Sequence, residues 1–100
     1  MKLGILVNTD KHLGHIRGLA AAAAAKDHEV MIFAMDQGVR LLENASFSEL
    51  AERGGVSITI CDHSAEMQGV ATEGISKAIT CSGQFENAMM VNKADKLIVL

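Results

Sequence analysis

The sequence predicts an α/β fold: a parallel sheet with helices on both faces. Three observations carry this expectation. Short apolar runs alternate with helix-forming stretches from the first residue to the last, the order in which strands and crossover helices follow one another in parallel sheets. The opening run, Lys2 to Val7, is Leu, Ile and Val broken by a single Gly, as expected for a strand buried on both faces. The chain has 100 residues, 49% of them hydrophobic, with no Pro, Trp or Tyr. That is enough apolar material for one core and too little length for a second domain, so residues 1–100 are expected to form one domain.

The elements follow in order. After the first strand, His12 to Lys26 reads as a helix; its six consecutive alanines, Ala20 to Ala25, favour helix and let it lie close on a sheet. Glu29 to Met35 is a second strand, and Asp36-Gln37-Gly38 is a turn opening a short helical stretch through Leu42. Ser46-Phe47-Ser48-Glu49 fits a capping box, which predicts a helix running to Arg53 and stopping at Gly54-Gly55. The third strand runs from Val56 to Cys61, and a helix follows over Asp62 to Val70. After a loop with Thr72 and Gly74, Ala78 to Cys81 is a fourth strand closed by Ser82-Gly83. Gln84 to Asn92 carries Phe85, Ala88, Met89 and Val91 at helical spacing, and Leu97 to Leu100 is the fifth strand.

The net charge is -3 and the nine Lys and Arg are scattered, which argues against a direct grip on nucleic acid. No window reaches the ~18 apolar residues of a membrane span, and Met1-Lys2 leads straight into a strand, not into a signal-peptide core. The expectation is a soluble, cytoplasmic protein. Two cysteines do not make a disulfide framework, and six methionines suit a reducing compartment, so reduced thiols are expected.

Cys61 is the leading candidate for chemistry. A residue just past a buried parallel strand stands at the rim of the sheet, and a thiol at a helix N-terminus is biased toward its thiolate. Asp62 or Ser64 would cap the following helix, and the His63 imidazole would steady a thiolate or shuttle a proton. An inward-pointing Asp62 would oppose the thiolate. The exit of the first strand at Asn8-Thr9 and the Ser82-Gly83 turn should open on the same sheet edge and could supply pocket amides. Beside this stands the plainer reading, a small buried hydrophobe at a strand end. Cys81 reads first as packing and second as a resolving thiol for Cys61.

The segment Ser57-Ile58-Thr59-Ile60-Cys61 with Gln68-Gly69-Val70 resembles the DsrE/DsrF-like sulfur-relay family, in which a strand-ending Cys precedes a helix finishing in a similar Gly-Val. The opening Leu3 to Thr9, the second-strand exit Phe33 to Val39, and the stretch from Ser82-Gly83 to Ala94-Asp95-Lys96-Leu97-Ile98-Val99 are similar to the same framework. The resemblance implies a three-layer α/β/α sandwich with a five-stranded parallel sheet, flavodoxin-like in appearance. It also implies homo-oligomers, trimers or hexamers, with sulfur-relay protein partners, and persulfide transfer by Cys61. Members of the tRNA-thiolation and sulfur-oxidation pathways are hetero-oligomers with a longer insertion between the second and third strands than this chain has.

Other chemistries find less support. One Gly in Asn8 to Gly14 falls short of a dinucleotide fingerprint and no Gly-Lys-Ser/Thr loop occurs, so no cofactor is expected. A phospho-acceptor pocket would need paired acids after the first strand and an acceptor Asp after the third, where Cys61 stands. His12, His15, Cys61, His63 and Cys81 are metal-ligand types whose spacing matches no zinc pattern, and no metal is expected. Two other functions remain open: a non-catalytic oligomeric or ligand-binding protein, and a Cys61/Cys81 thiol redox protein. The consecutive Met89, Met90 and Val91 cannot all face one core, which leaves two readings, a subunit interface that Met90→Lys would disrupt or a helix sandwiched within the monomer.

Overall fold

The computed structural model describes residues 1–100 and contains, in order, β1 (Lys2–Val7), α1 (Leu13–Ala25), β2 (Glu29–Ala34), a 3-10 segment (Asp36–Glu43), α2 (Ala45–Ser48), a 3-10 turn (Glu49–Glu52), β3 (Val56–Cys61), α3 (Asp62–Gln68), β4 (Ile79–Ser82), α4 (Gln84–Lys93) and β5 (Lys96–Val99). Every strand pair is parallel, in the spatial order β4-β3-β2-β1-β5. The chain thus steps outward from β1 to β4 and then returns across the whole sheet to β5. Right-handed crossovers that travel in opposite directions place their helices on opposite faces.

Core composition follows that rule. Alternate strand residues such as Ile5, Val7, Ile32, Ile58 and Ile60 pack in one cluster with Ile16 and Ala20 of α1, Phe47 of α2 and Ala65 of α3. The other face carries only α4, whose Met90 joins Phe33 and Cys61 in a small second cluster flanked by Leu6, Met31 and Met35. The three layers are therefore unequal. On the thin side Phe85 and Val91 of α4 and Leu97 and Val99 of β5 remain exposed. Leu97 and Val99 are the register partners of Gly4 and Leu6, which places them on the α4 face.

The alanine run does what small side chains allow: Ala20 is fully buried against the sheet beside Ile16, while Ala22 and Ala25 face solvent. The capping-box expectation needs correction. The cap is Asn44, whose Oδ1 accepts the Ser46 amide at 3.0 Å, so the helix begins two residues early, and after Ser48 it tightens into a 3-10 turn. Asn caps a helix as well as Ser does. The predicted stretch from Asp36 is also 3-10, and Gly38 explains how it fits: a Cβ there would lie 2.2 Å from the Val7 carbonyl oxygen. The fourth strand lies one residue later than expected and the fifth one earlier. Met90 is buried, so it belongs to the protomer's own packing; the exposed large apolar residues of α4 are Phe85 and Val91. No helix is long and apolar enough to cross a membrane.

Candidate functional site at the ends of β3 and β4

From Cys61 the chain turns into α3 on the thickly covered face, and from Ser82 it turns through Gly83 into α4 on the other. Neighbouring parallel strands whose exits diverge to opposite faces leave a crevice at their carboxyl ends, the usual ligand position in open α/β sheets. Cys61 and Ser82 are register partners across that crevice.

Cys61 itself is the N-cap of α3. Its backbone is extended (φ -81, ψ 115) and its Sγ accepts the Ser64 amide at 3.5 Å, the role expected of Asp62 or Ser64. A residue at the last strand position is one turn back from the orphan amides of the helix it starts, so sulfur takes the place usually filled by oxygen. Ser64 is the one buried polar residue, 6% exposed. Its Oγ accepts the Asp36 amide at 2.9 Å, which leaves its hydroxyl hydrogen to point at the sulfur. Asp36 holds a left-handed backbone (φ 48) at the exit of β2. At its far end α3 closes with Gly69 in the left-handed region (φ 67) and the Val70 amide reaching back to Ala65 at 2.9 Å, a Schellman ending with Val70 buried.

Burial pushes the Cys61 thiol up, yet the Ser64 hydroxyl, the Ser64 amide, the Gln84 side chain and the His63 amide outweigh it, leaving the thiol below its ordinary value. His63 thus reaches the sulfur through its backbone, and its side chain is exposed. Burial, the Asp62 charge and a hydrogen bond to Asp62 push the Cys81 thiol up. The Asp62 charge acts on Cys81 and is absent from the influences on Cys61.

Cys81 is exposed on the edge strand, against the packing expectation. Its register partner is Ile60, so Cys81 faces the side opposite Cys61, and both thiols are free. A Cys61–Cys81 bridge would require one strand end to rotate. Thr9 is occupied elsewhere: its Oγ1 donates to the Leu100 carbonyl at 3.1 Å and accepts from the Lys11 amide at 3.4 Å. Asn8 and Thr9 leave β1, two strands from β3 and hence roughly 10 Å away across the sheet. Ser82 is half-buried beside Cys61, and a side chain at Gly83 would meet nothing within 4 Å, so the crevice is open there. No three His, Cys, Asp or Glu side chains converge anywhere; His12 and His15 lie together at the start of α1 with ring centroids 5.9 Å apart.

Two contributors were not foreseen. Gln84 follows the Ser82-Gly83 turn directly and would have emerged by carrying the sheet-edge argument one residue further. Asp36 acts through its amide and backbone angle, which residue type does not reveal. On the same face as Cys61, an open groove of about 250 Å³ runs over Thr59, Phe33, Met31 and Ser57 beside Met89 and Met90, with Lys2, Lys93, Glu29 and Glu86 also lining it.

A protein-family model described as the DsrE/DsrF-like family matches residues 1–100. The crystal structure of the ychN protein from E. coli superposes with a TM-score of 0.75 at 15% identity, covering 100% of both chains. A protein of unknown function from Methanobacterium thermoautotrophicum, MTH1491, does so with a TM-score of 0.72 at 16% identity, over 99% of this chain and 98% of its own. At such identities the likeness is one of fold. No curated protein matches the chain.

Proposed function

The chain belongs to the DsrE/DsrF-like family, and on that footing we propose that it is a small sulfur-relay protein, carrying persulfide sulfur on Cys61 and passing it to a partner thiol. The observation that supports this most is the environment of one sulfur: a cysteine in a switch-point crevice, capping α3, with the Ser64 amide donating to its Sγ and its thiol held below the ordinary value. In the transfer, the Cys61 thiolate attacks the outer sulfur of a donor persulfide. The donor's S–S bond breaks, its inner sulfur leaves as a thiolate, and Cys61 becomes a persulfide. An acceptor thiolate then takes the outer sulfur and Cys61 leaves as the thiolate, so no electrons are gained or lost overall. Donors already aimed at Cys61 stabilise the negative charge at the start and end of each cycle. Reduced thiols are required, which makes the cytoplasm the setting.

The protein acts as a homo-oligomer, assembled on the face that α4 leaves thin, where Phe85, Val91, Leu97 and Val99 are exposed. The groove beside α4 favours a second reading, a non-catalytic assembly or ligand-binding protein in which Cys61 only packs. Intact-mass spectrometry after incubation with a persulfide donor separates the two. The relay expects a reductant-sensitive gain of one sulfur in wild type and Cys81→Ser that disappears in Cys61→Ser. A gain that persists in Cys61→Ser, or no gain at all, overturns it.

A further inference from the structure

The surroundings of Cys61 differ in the room they leave. Phe33 of β2 and Met90 of α4 pack with it in one buried cluster, and the Ser64 amide of α3 donates to its Sγ at 3.5 Å. Cys61 is 4% exposed. Three sides are thus occupied, by β2, α4 and α3. The fourth is β4, whose Ser82 is the register partner of Cys61 and stands on the same face of the sheet. On that side the structure is open: β4 is an edge strand, Thr80 on the same face is exposed, and a Cβ at Gly83 would meet nothing within 4 Å. The Ser82 side chain is half-buried, and its hydroxyl makes no hydrogen bond within the chain.

Strand spacing decides what that hydroxyl can reach. Neighbouring strands lie ~4.8 Å apart, so side chains rising abreast from Cys61 and Ser82 stand too far apart for a direct hydrogen bond, and the sulfur bonds to Ser64 instead. A second sulfur on Sγ extends the side chain by ~2.05 Å, the length of an S–S bond, which closes most of that difference. We propose that Ser82 binds the transferable sulfur: the outer sulfur of the Cys61 persulfide points toward β4, and the Ser82 hydroxyl donates to it. This rests on the sulfur-carrying reading and adds that the site tells its loaded form from its empty one. A deprotonated persulfide carries its negative charge on the outer sulfur, and a hydrogen bond to a charged acceptor is stronger than one to a neutral group. In the empty form the hydroxyl returns to solvent, so it stabilises the persulfide without stabilising the thiolate. An acceptor thiolate attacks the outer sulfur from the side away from Sγ, which is the open edge at β4. The S–S bond then breaks, Cys61 leaves as the thiolate, and the hydroxyl keeps its proton throughout.

The test uses the full chain carrying Cys81→Ser, alone and with Ser82→Ala or Ser82→Thr, the last of which keeps a hydroxyl at the position. Each protein is equilibrated with mixtures of glutathione persulfide and reduced glutathione, and the loaded fraction at Cys61 is read by intact-mass spectrometry. In parallel the empty proteins are alkylated with iodoacetamide. Ser82→Ala should need about tenfold more persulfide relative to thiol for half-loading, the loss expected for one hydrogen bond to a charged atom. Its alkylation rate at Cys61 should match that of the parent, and Ser82→Thr should load as the parent does. Loading of Ser82→Ala equal to the parent overturns the proposal. So does a parallel fall in alkylation, which would put the hydroxyl on the thiolate itself, or a Ser82→Thr protein that loads no better than Ser82→Ala. A parent that takes up no sulfur removes the relay reading and this one with it, whereas the other failures leave the relay standing, so the two are distinguishable.

Discussion

Replacing Ser64 with Ala removes one hydroxyl that serves two partners, and the two losses are measured separately. The hydroxyl accepts the Asp36 amide at 2.9 Å in a partly buried position. Without it that N–H loses its acceptor, at a cost of about 1–2 kcal/mol, near the lower end for a group not fully enclosed. For a chain of this size the cost should lower the melting temperature by about 4–15 °C. Asp36 is also the residue with the left-handed backbone at this exit, so the lost tether releases a conformation a non-glycine residue seldom adopts. The same hydroxyl donates to Cys61, while the Ser64 and His63 amides remain in the variant. Loss of one hydrogen bond to a charged sulfur should cut alkylation of Cys61 at neutral pH by about tenfold. Chemical denaturation reads the first effect and site-resolved alkylation against pH reads the second. A destabilised variant whose alkylation profile superimposes on wild type would refute the second role, and a variant of wild-type stability would refute the first.

Three further outcomes are expected. Gly38→Ala drives a methyl into the Val7 carbonyl, 2.2 Å away, and should destabilise by about 2 kcal/mol or more in denaturant melts; a neutral result would mean that the 3-10 segment is free to lift. Because the folded Cys61 thiol lies below its unfolded value, its contribution to stability should be full above the unfolded thiol value and fade as pH falls through the folded one. The stability difference between Cys81→Ser and the Cys61→Ser/Cys81→Ser double variant should therefore grow as pH rises through that window, and a difference that shrinks contradicts the sign. Finally, Val91→Lys should dissociate the assembly in light scattering with the protomer's melting behaviour retained, whereas Met90→Lys should unfold it, because Met90 packs on Phe33 and Cys61. A monomeric wild type would remove the assembly argument.

How far the sequence could be read depended on what each signal encoded. Strands were legible because their covered face is apolar: Leu3 to Val7 is a continuous run, and in Val56 to Cys61 the buried Val56, Ile58 and Ile60 alternate with Ser57 and Thr59. Helix ends were less so: Asn44 and Ser46 are both competent caps, and the choice between them lies in backbone geometry that composition does not carry. Strand order was out of reach from local pattern, yet it is what makes the site. Only because β5 returns to the far side of β1 does α4 cross the other face, and only then do the exits of β3 and β4 part around Cys61. The same order explains why Asn8 and Thr9, at the same end of the sheet, fall outside reach of the sulfur, and why Gln84 falls within it. Residue parity then separates the two thiols: one position along β4 decides whether a side chain lies beside Cys61, as Ser82 does, or on the opposite face, as Cys81 does. A sulfur flanked by a serine, with the second thiol turned away and pushed up by partial burial and by Asp62, is poorly suited to closing an internal disulfide, which favours the proposed relay over a two-cysteine redox cycle.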